Sequence, residues 1–417
     1  MTRRRPVTVV GMGADGCAGL SSRAAGAVSA ADVLAGGERH LAFFPQFRGE
    51  RIVLGKDVAG AVERVAALAD EHAVCVLASG DPLLFGIGAR LVASLGPEHV
   101  EILPQPSSVQ WAFARAGLSW DDAAILSVHG RPLAGVAARV RRARKVALLT
   151  GGEASPARVA RHLLDHGETG VAAWICEDLG GPAERVRRFD SLEAAAACDD
   201  VSALNVLLLA RTDPSWRPPS ALPFLPESAL EMRHPRGGLV TKREVRAVAV
   251  ASLAVRPDAV VWDVGAGSGS VALAAASLAP DGSVFAIERD PESAEHCRAN
   301  ARRHGMDHVT VVQGEAPGAL AGLDAPDAIF VGGGGSAVAA IIAASLARLR
   351  PGGRIVVAAV TLETLEEARR ALGTAGIEPE VTALSIARAA PLAGRTRLEP
   401  LSPVFLVAGA TPGGPTA

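Results

Sequence analysis

Neither sign of charge dominates this chain. Its 42 basic and 44 acidic residues leave a net charge of −2, which excludes a general nucleic-acid binder built on a basic excess. Cysteine is scarce and scattered. Cys17, Cys75, Cys176, Cys198 and Cys297 form no C-x-x-C pair and no Cys/His cluster, so no metal site is expected. An odd number of thiols so spaced suits a reducing compartment, and a cytoplasmic protein is the expectation. Nowhere do apolar residues run for the roughly 18 positions that a membrane span requires. The basic start, Met1 to Pro6, is followed only by Val7 to Val10 before Gly11, too short for the core of a secretory signal. A soluble chain with neither nucleic acid nor membrane as partner is expected. What is abundant is apolar: 49% hydrophobic against 21% charged residues over 417 positions suits two or three well-buried α/β domains.

The stretch richest in chemistry is Val260-Val261-Trp262-Asp263-Val264-Gly265-Ala266-Gly267-Ser268-Gly269-Ser270. An apolar run leads into a loop with Gly at every second position, and an Ala-rich run follows. That order reads as strand, tight turn and helix, the opening unit of a doubly wound nucleotide fold. Glycines there let the main chain press against a ligand, while the helix start offers free N–H groups. A dinucleotide fingerprint would need Gly or Ala at Ser270, and the third Gly falls one residue early, at Gly269. The next strand, Ser283 to Ile287, closes on Glu288, where a carboxylate can accept both hydroxyls of a ribose. The D-x-G-x-G-x-G loop with an acid ending the second strand resembles class I S-adenosyl-L-methionine methyltransferases.

The first half has its own glycine turns. Val7 to Val10 reads as a buried parallel strand delivering Gly11-Met12-Gly13-Ala14-Asp15-Gly16, with helical patterning then running to about Leu34. Ala73 to Ala78 is a strand ending in Ser79-Gly80-Asp81-Pro82, with Asp81 a candidate cap for the helix after it. Val100 to Leu103 precedes Ser107 and Ser108, either of which can cap the helix through Ala116. Ala123 to Val128 ends at His129-Gly130-Arg131, and further strands are expected at Lys145 to Leu149, Gly170 to Ile175 and Ala203 to Leu209. Gly11-Met12-Gly13, Ser79-Gly80-Asp81-Pro82, Ser107-Ser108 and Ser127-Val128-His129-Gly130-Arg131 together resemble the tetrapyrrole (corrin/porphyrin) methylase family over about residues 6–211. The resemblance implies a two-lobed α/β domain with S-adenosyl-L-methionine between its lobes. It implies as cofactor-binding residues Gly11, Gly13, Ser79, Gly80, Asp81, Pro82 and Ser108. His129, at a strand end, is a candidate proton carrier.

Thr212-Asp213-Pro214-Ser215-Trp216-Arg217-Pro218-Pro219 reads as a rigid linker, giving expected domains at 1–211 and 222–410, a linker at 212–221 and a disordered tail at 411–417. In the second half Thr241 reads as a helix N-cap with Glu244 at the capping-box position, and Lys242, Arg243 and Arg246 form a basic face. Val309 to Val312 leads to Gly314-Glu315-Ala316-Pro317, and Asp327 to Val331 leads to four glycines, Gly332 to Gly335, that clear side chains from the crevice. These features over about 222–409 resemble the decarboxylating precorrin methyltransferases, and the two halves in this order resemble the fused enzymes of cobalamin biosynthesis. Such enzymes often carry a Glu where this chain has Ala274, so no acid on that helix is taken as catalytic.

The fold expected is therefore a two-lobed tetrapyrrole methylase fold followed by a Rossmann-like class I methyltransferase fold. The resemblance implies methylation of an anionic, reduced tetrapyrrole at two carbons with loss of carbon dioxide, and points to a homo-oligomer. The cofactor-binding residues expected in the second half are Thr241, Gly265, Ala266, Gly267, Ser268, Gly269, Glu288 and Ala316. A substrate rich in carboxylates calls for arginine and lysine: Lys242, Arg243 and Arg246 first, then Arg131, Arg388, Arg395 and Arg397. Two other readings compete. A nicotinamide dehydrogenase is disfavoured by Ser270, and a chain with one half as a non-catalytic scaffold would bind one methyl donor instead of two.

Overall fold

The computed structural model describes residues 6–55, 57–219, 225–232, 241–333 and 335–413. Gly334 of the glycine run, residues 220–224 at the end of the linker and the start of the second half, and tail residues 414–417 lie outside them. The chain divides into two compact units: residues 1–133, 143–161 and 169–216 form the first, and 134–142, 162–168 and 217–417 the second.

The first unit contains two sheets. Strands β1 (Val7–Met12), β2 (Val33–Gly36), β3 (Glu50–Val53), β4 (Val74–Ser79) and β5 (Val100–Leu103) form a parallel sheet in the order β3-β2-β4-β1-β5. The apolar residues of the central strands β1, β2 and β4 are buried on both faces, as a parallel sheet covered by helices requires. The second sheet holds β6 (Ala123–Ser127), β7 (Lys145–Thr150), β8 (Val171–Glu177), β9 (Arg185–Phe189) and β10 (Asn205–Arg211), in the order β6-β7-β10-β8-β9. Only β6 and β7 pair parallel; β10 and β9 run against their neighbours.

One expectation fails early. The helical pattern taken to Leu34 ends at Ser29, and Val33–Gly36 is a buried strand. Four consecutive buried apolar residues have no period that tells helix from strand. Pairing decides: Asp32 exchanges hydrogen bonds with Ala73, its carboxylate accepting from the Ala73 N–H at 2.8 Å, which aligns β2 beside β4.

The second unit is a seven-stranded sheet. Strands β11 (Val260–Val264), β12 (Ser283–Glu288), β13 (Val309–Gln313), β14 (Ala328–Val331), β15 (Arg354–Ala359), β16 (Glu380–Leu384) and β19 (Val404–Ala410) run in the order β13-β12-β11-β14-β15-β19-β16. The first five are parallel and β19 is antiparallel to both neighbours. Strands β17 (Ala387–Leu392) and β18 (Arg395–Pro400) make a separate, exposed hairpin. The strand order reverses at β11 and β14, the switch point where open α/β sheets bind ligands. The start of the expected tail is tied down: Thr411 donates to Gly353 O at 2.9 Å, and Pro412 O accepts from Gly352. Among the described residues no helix is long and apolar enough to cross a membrane.

Candidate functional site

In the first unit, the loops after β1, β4 and β5 are laced together. Gly80 N–H donates to Met12 O at 2.8 Å, and Gln105 N–H donates to Gly80 O at 3.2 Å. Gly11 makes this possible: a Cβ there would lie 2.0 Å from Gly80 O and 2.7 Å from Gln105 N. A cavity of about 520 Å³ opens beside these loops. Of the residues expected to hold the cofactor, Gly13, Ser79, Gly80, Asp81 and Ser108 line it, with His129 and Arg131 from the end of β6. Gly11 and Pro82 do not: they shape the loops behind the wall.

One capping expectation fails and an open one is decided. Asp81 does not cap the helix Ile87–Leu95, which starts at Gly86; its carboxylate closes a local turn by accepting from Leu83 N–H at 2.8 Å. Pro82 and the left-handed Phe85 hold the chain out of helix for those residues. Ser107, not Ser108, caps Ser108–Ala116, in a full capping box with Gln110. Ser107 is thereby consumed and buried, and Ser108 is left exposed on the cavity wall. His129 lies just beyond β6, its Nδ1 2.6 Å from where a Cβ on Gly151 would stand, so that glycine makes the imidazole's room.

Arg39 and His40, which no motif in the sequence marks, follow β2 and face the same cavity. His40 is buried, and burial together with the Arg39 charge pulls its imidazole down to about 4, so it is neutral near pH 7. Its Nε2 sits 3.2 Å from Ser79 Oγ. The signal in the sequence is a run of ionisable residues, Glu38, Arg39 and His40, directly after Gly36-Gly37 at the C-terminal end of a buried strand.

In the second unit the ends of four parallel strands converge. Gly265 and Ala266 donate to Ile287 O, Gly314 donates to Glu288 O, and Gly332 donates to Val264 O, all at 2.9–3.0 Å. Gly265 has φ +77°, and a Cβ on it would meet Gly333 N at 2.9 Å, so the two glycine loops abut. Glu288 is 9% exposed; its carboxylate accepts from Gly267 N–H at 2.7 Å and Asp290 N–H at 2.8 Å, with a lone pair to spare on each oxygen. Asp263, also buried, accepts from Ala272 N–H at 2.7 Å through one oxygen, while the other has no partner. Burial pushes its carboxyl up to about 7, with Glu288 adding to the rise. The buried Ser268 hydroxyl is also unpartnered. Orphaned acceptors beside a glycine cradle fit a ligand that brings hydroxyl and ammonium donors, as S-adenosyl-L-methionine does. Ala316 stands in the loop after β13, whose main chain Gly314 ties to Glu288.

Three further expectations change. The N-cap of Arg243–Leu253 is Lys242, without a side-chain bond, so Thr241 makes no cap and no capping box forms. Glu227 substitutes, accepting from Arg243 N–H at 2.8 Å. Burial opposes its charge, but that N–H and Arg388 outweigh it and hold the carboxyl at about 2. Arg246 is 1% exposed on the helix's inward face with Val245, Ala249, Val250 and Leu253, and donates to Thr241 O and Leu225 O. It fastens two chain segments and cannot reach a substrate. Lys242 is half-buried and Arg243 is exposed. Arg388 is taken by Glu227 and Glu244, while Arg395 and Arg397 lie on the exposed hairpin. Ala274 is 2% exposed inside the apolar core, which has no place for an unpaired acid. Among the described residues no group of His, Cys, Asp or Glu is placed to hold a metal.

A family model described as "Tetrapyrrole (Corrin/Porphyrin) Methylases" matches residues 6–195, and one described as "Precorrin methyltransferase domain" matches 233–409. Folds and sites together define a two-part methyltransferase. A Sinorhizobium protein named precorrin-6Y C(5,15)-methyltransferase [decarboxylating] is 37% identical over 402 residues, covering 95% of this chain and 94% of the relative. The chain belongs to that family. Shorter relatives match part of it. A Salmonella typhimurium cobalt-precorrin-7 C(5)-methyltransferase is 43% identical over 43% of this chain and 88% of its own length. A Pyrobaculum calidifontis protein named "Probable cobalt-precorrin-6B C(15)-methyltransferase (decarboxylating)" is 40% identical over 45% of this chain and 96% of its own.

Proposed function

We propose that the chain methylates precorrin-6Y at carbons 5 and 15, with S-adenosyl-L-methionine as donor, and releases carbon dioxide from an acetate side chain to give precorrin-8x. The observation that carries this reading is one chain with two separately built ligand crevices that matches a relative of that name over 95% of its length. The existence of shorter relatives named for C(5) and C(15) methylation supports one methyl transfer per unit.

S-adenosyl-L-methionine supplies an electrophilic methyl group on a sulfonium, so the protein's main task is alignment, which can lower a barrier by about 7–11 kcal/mol. In the second unit Glu288 would accept the ribose hydroxyls, the Gly265–Gly269 loop would pass close to the donor's methionine end, and Ala316 would border the adenine. Gly332 and Gly333 leave the approach to the methyl group free of side chains. Lys242 and Arg243 are the cations available there for substrate carboxylates. In the first unit Gly13, Ser79, Gly80, Asp81 and Ser108 form the donor's wall, Arg131 is a carboxylate ligand, and His129 carries a proton to or from the macrocycle. We further place the enzyme in the cytoplasm as a homo-oligomer; its five unpaired cysteines suit that compartment.

The test is the mass of the product formed from precorrin-6Y and S-adenosyl-L-methionine. Two methyl groups gained and one carbon dioxide lost is the expected result. One methyl group without decarboxylation would make one unit a scaffold, and an unchanged mass would overturn the reading. Glu288→Gln is expected to weaken about tenfold one of two calorimetric S-adenosyl-L-methionine sites and leave the other unaltered.

A further inference from the structure

Arg246 and Arg388 each have acceptors that explain them. Arg39, whose side chain is exposed on the cavity wall, has no carboxylate or carbonyl acceptor of that kind among the described residues. It stands in the short helix Glu38–Ala42 at the carboxyl end of β2, with its side chain on the wall of the first unit's cavity. Nη2 lies 3.3 Å from Ser79 Oγ and 3.1 Å from His40 Nε2. Both partners are neutral. Burial and Arg39 itself keep His40 uncharged, so its Nε2 accepts from Ser79 or Arg39 and adds no competing cation. No carboxylate lies within ion-pair distance of Arg39 among the described residues. Asp178, on the same cavity wall, is near enough for its charge to be felt but makes no pair with it.

A guanidinium has five N–H donors in a fixed fork. Here one nitrogen is held by neutral groups, which fix the fork's direction without cancelling its charge. The remaining donors have no partner among the described residues, and partial desolvation at the cavity wall disfavours the charge although the residue as a whole is exposed. Such a group gains most from a carboxylate entering the cavity, by charge-assisted and potentially bidentate hydrogen bonds. Arg131 stands on the same cavity from the other sheet, its guanidinium 5.7 Å from the Phe85 ring. Each of the unit's two sheets thus contributes one arginine.

We propose that Arg39 is a carboxylate-binding residue of the first unit's cavity and that His40 and Ser79 are positioning residues that aim it. The proposal rests on the methyltransferase reading above for its two carboxylate sources: an acetate or propionate of the tetrapyrrole, or the amino-acid end of S-adenosyl-L-methionine.

The experiment is direct titration of the full chain with precorrin-6Y and, separately, with S-adenosyl-L-methionine, for the wild type, Arg39→Gln, Arg39→Lys, His40→Gln and His40→Leu. Arg39→Gln is expected to raise one of the two dissociation constants about 10- to 100-fold, with Arg39→Lys between it and the wild type. A weaker tetrapyrrole assigns the carboxylate to the substrate; one weakened S-adenosyl-L-methionine site assigns it to the donor. His40→Gln retains an acceptor and should bind like the wild type, whereas His40→Leu should lose severalfold. Unchanged constants for Arg39→Gln, or equal losses in both His40 variants, would overturn the proposal. These binding constants are read independently of product mass, so a chain that binds both ligands but transfers no methyl group would sink the functional reading and leave this one standing or falling on its own.

Discussion

The two units handle the same kind of donor with opposite construction. The first builds its cavity from loops of two sheets, lets main-chain bonds between Gly80, Met12 and Gln105 set the wall, and puts ionisable side chains on it: Arg39, His40, His129 and Arg131. The second gathers the ends of four adjacent strands of one sheet, where glycines clear the space and two buried acids, Asp263 and Glu288, stand behind them. The first is a basic and mixed lining on a stitched frame; the second is an acidic lining on a bare one. Two folds therefore solve one binding problem with different residue types, and each should break in its own way.

The largest break is in the stitching. Gly11→Val would drive a side chain into Gly80 O and Gln105 N, so the first unit's methyl transfer is expected to vanish while the second unit's persists. Mass spectrometry of the product checks this: one methyl group fewer is the expected outcome, and a doubly methylated product would show that the loops can yield. Next comes the buried fastener of the second unit. Arg246→Ala strands Leu225 O and Thr241 O and leaves a void, at about 2–4 kcal/mol by denaturant unfolding. A loss under 0.5 kcal/mol would mean water substitutes for the guanidinium.

The units should also respond to pH in opposite directions. His40 is depressed to about 4 from an ordinary value near 6.5, so the unfolded chain binds the proton more readily and the first unit loses stability as pH falls from 6.5 toward 4. Asp263 is raised to about 7, so the folded chain binds the proton more readily; its contribution is complete below pH 4 and is lost as pH rises toward 7. Between pH 5 and 6 each group contributes up to about 1.4 kcal/mol, with opposite signs. Hydrogen exchange read unit by unit tests it, and His40→Gln and Asp263→Asn should each flatten one slope. If the variants keep the wild-type slopes, other groups govern both. The smallest effect expected is on the exposed hairpin, where Arg397 pairs with Glu399 at 3.0 Å with both side chains about half exposed. Arg397→Ala should change stability by less than about 0.5 kcal/mol in the same unfolding assay; a larger loss would show that the hairpin is covered in solution.

Much of the frame was legible in the chain. Val100–Leu103 is legible to the residue and Ser283–Glu288 to its closing acid, because each run has a strand's length and a clear stop, Pro104 after the first and Glu288 at the end of the second. The glycine loops were legible for a related reason: the residue that permits a backbone shape is visible in the sequence even when the shape is not. Side chains with two possible fates were harder. Thr241 and Glu244 fit the spacing of a capping box, yet Glu227, distant in sequence, took the helix start. Arg246 fits a cation for substrate carboxylates by its residue type and spacing, and helical phase turns it inward.

The sequence by itself determined the two kinds of glycine crevice, the strands that feed them, the acid at 288 and the kinship these imply, because all of these rest on local spacing and backbone freedom. Only the tertiary structure decided which charges face a ligand. Arg39, His40 and Ser79 lie up to 40 positions apart and meet because β2 pairs with β4. Burial, a property of the packed whole, then set which of them is charged.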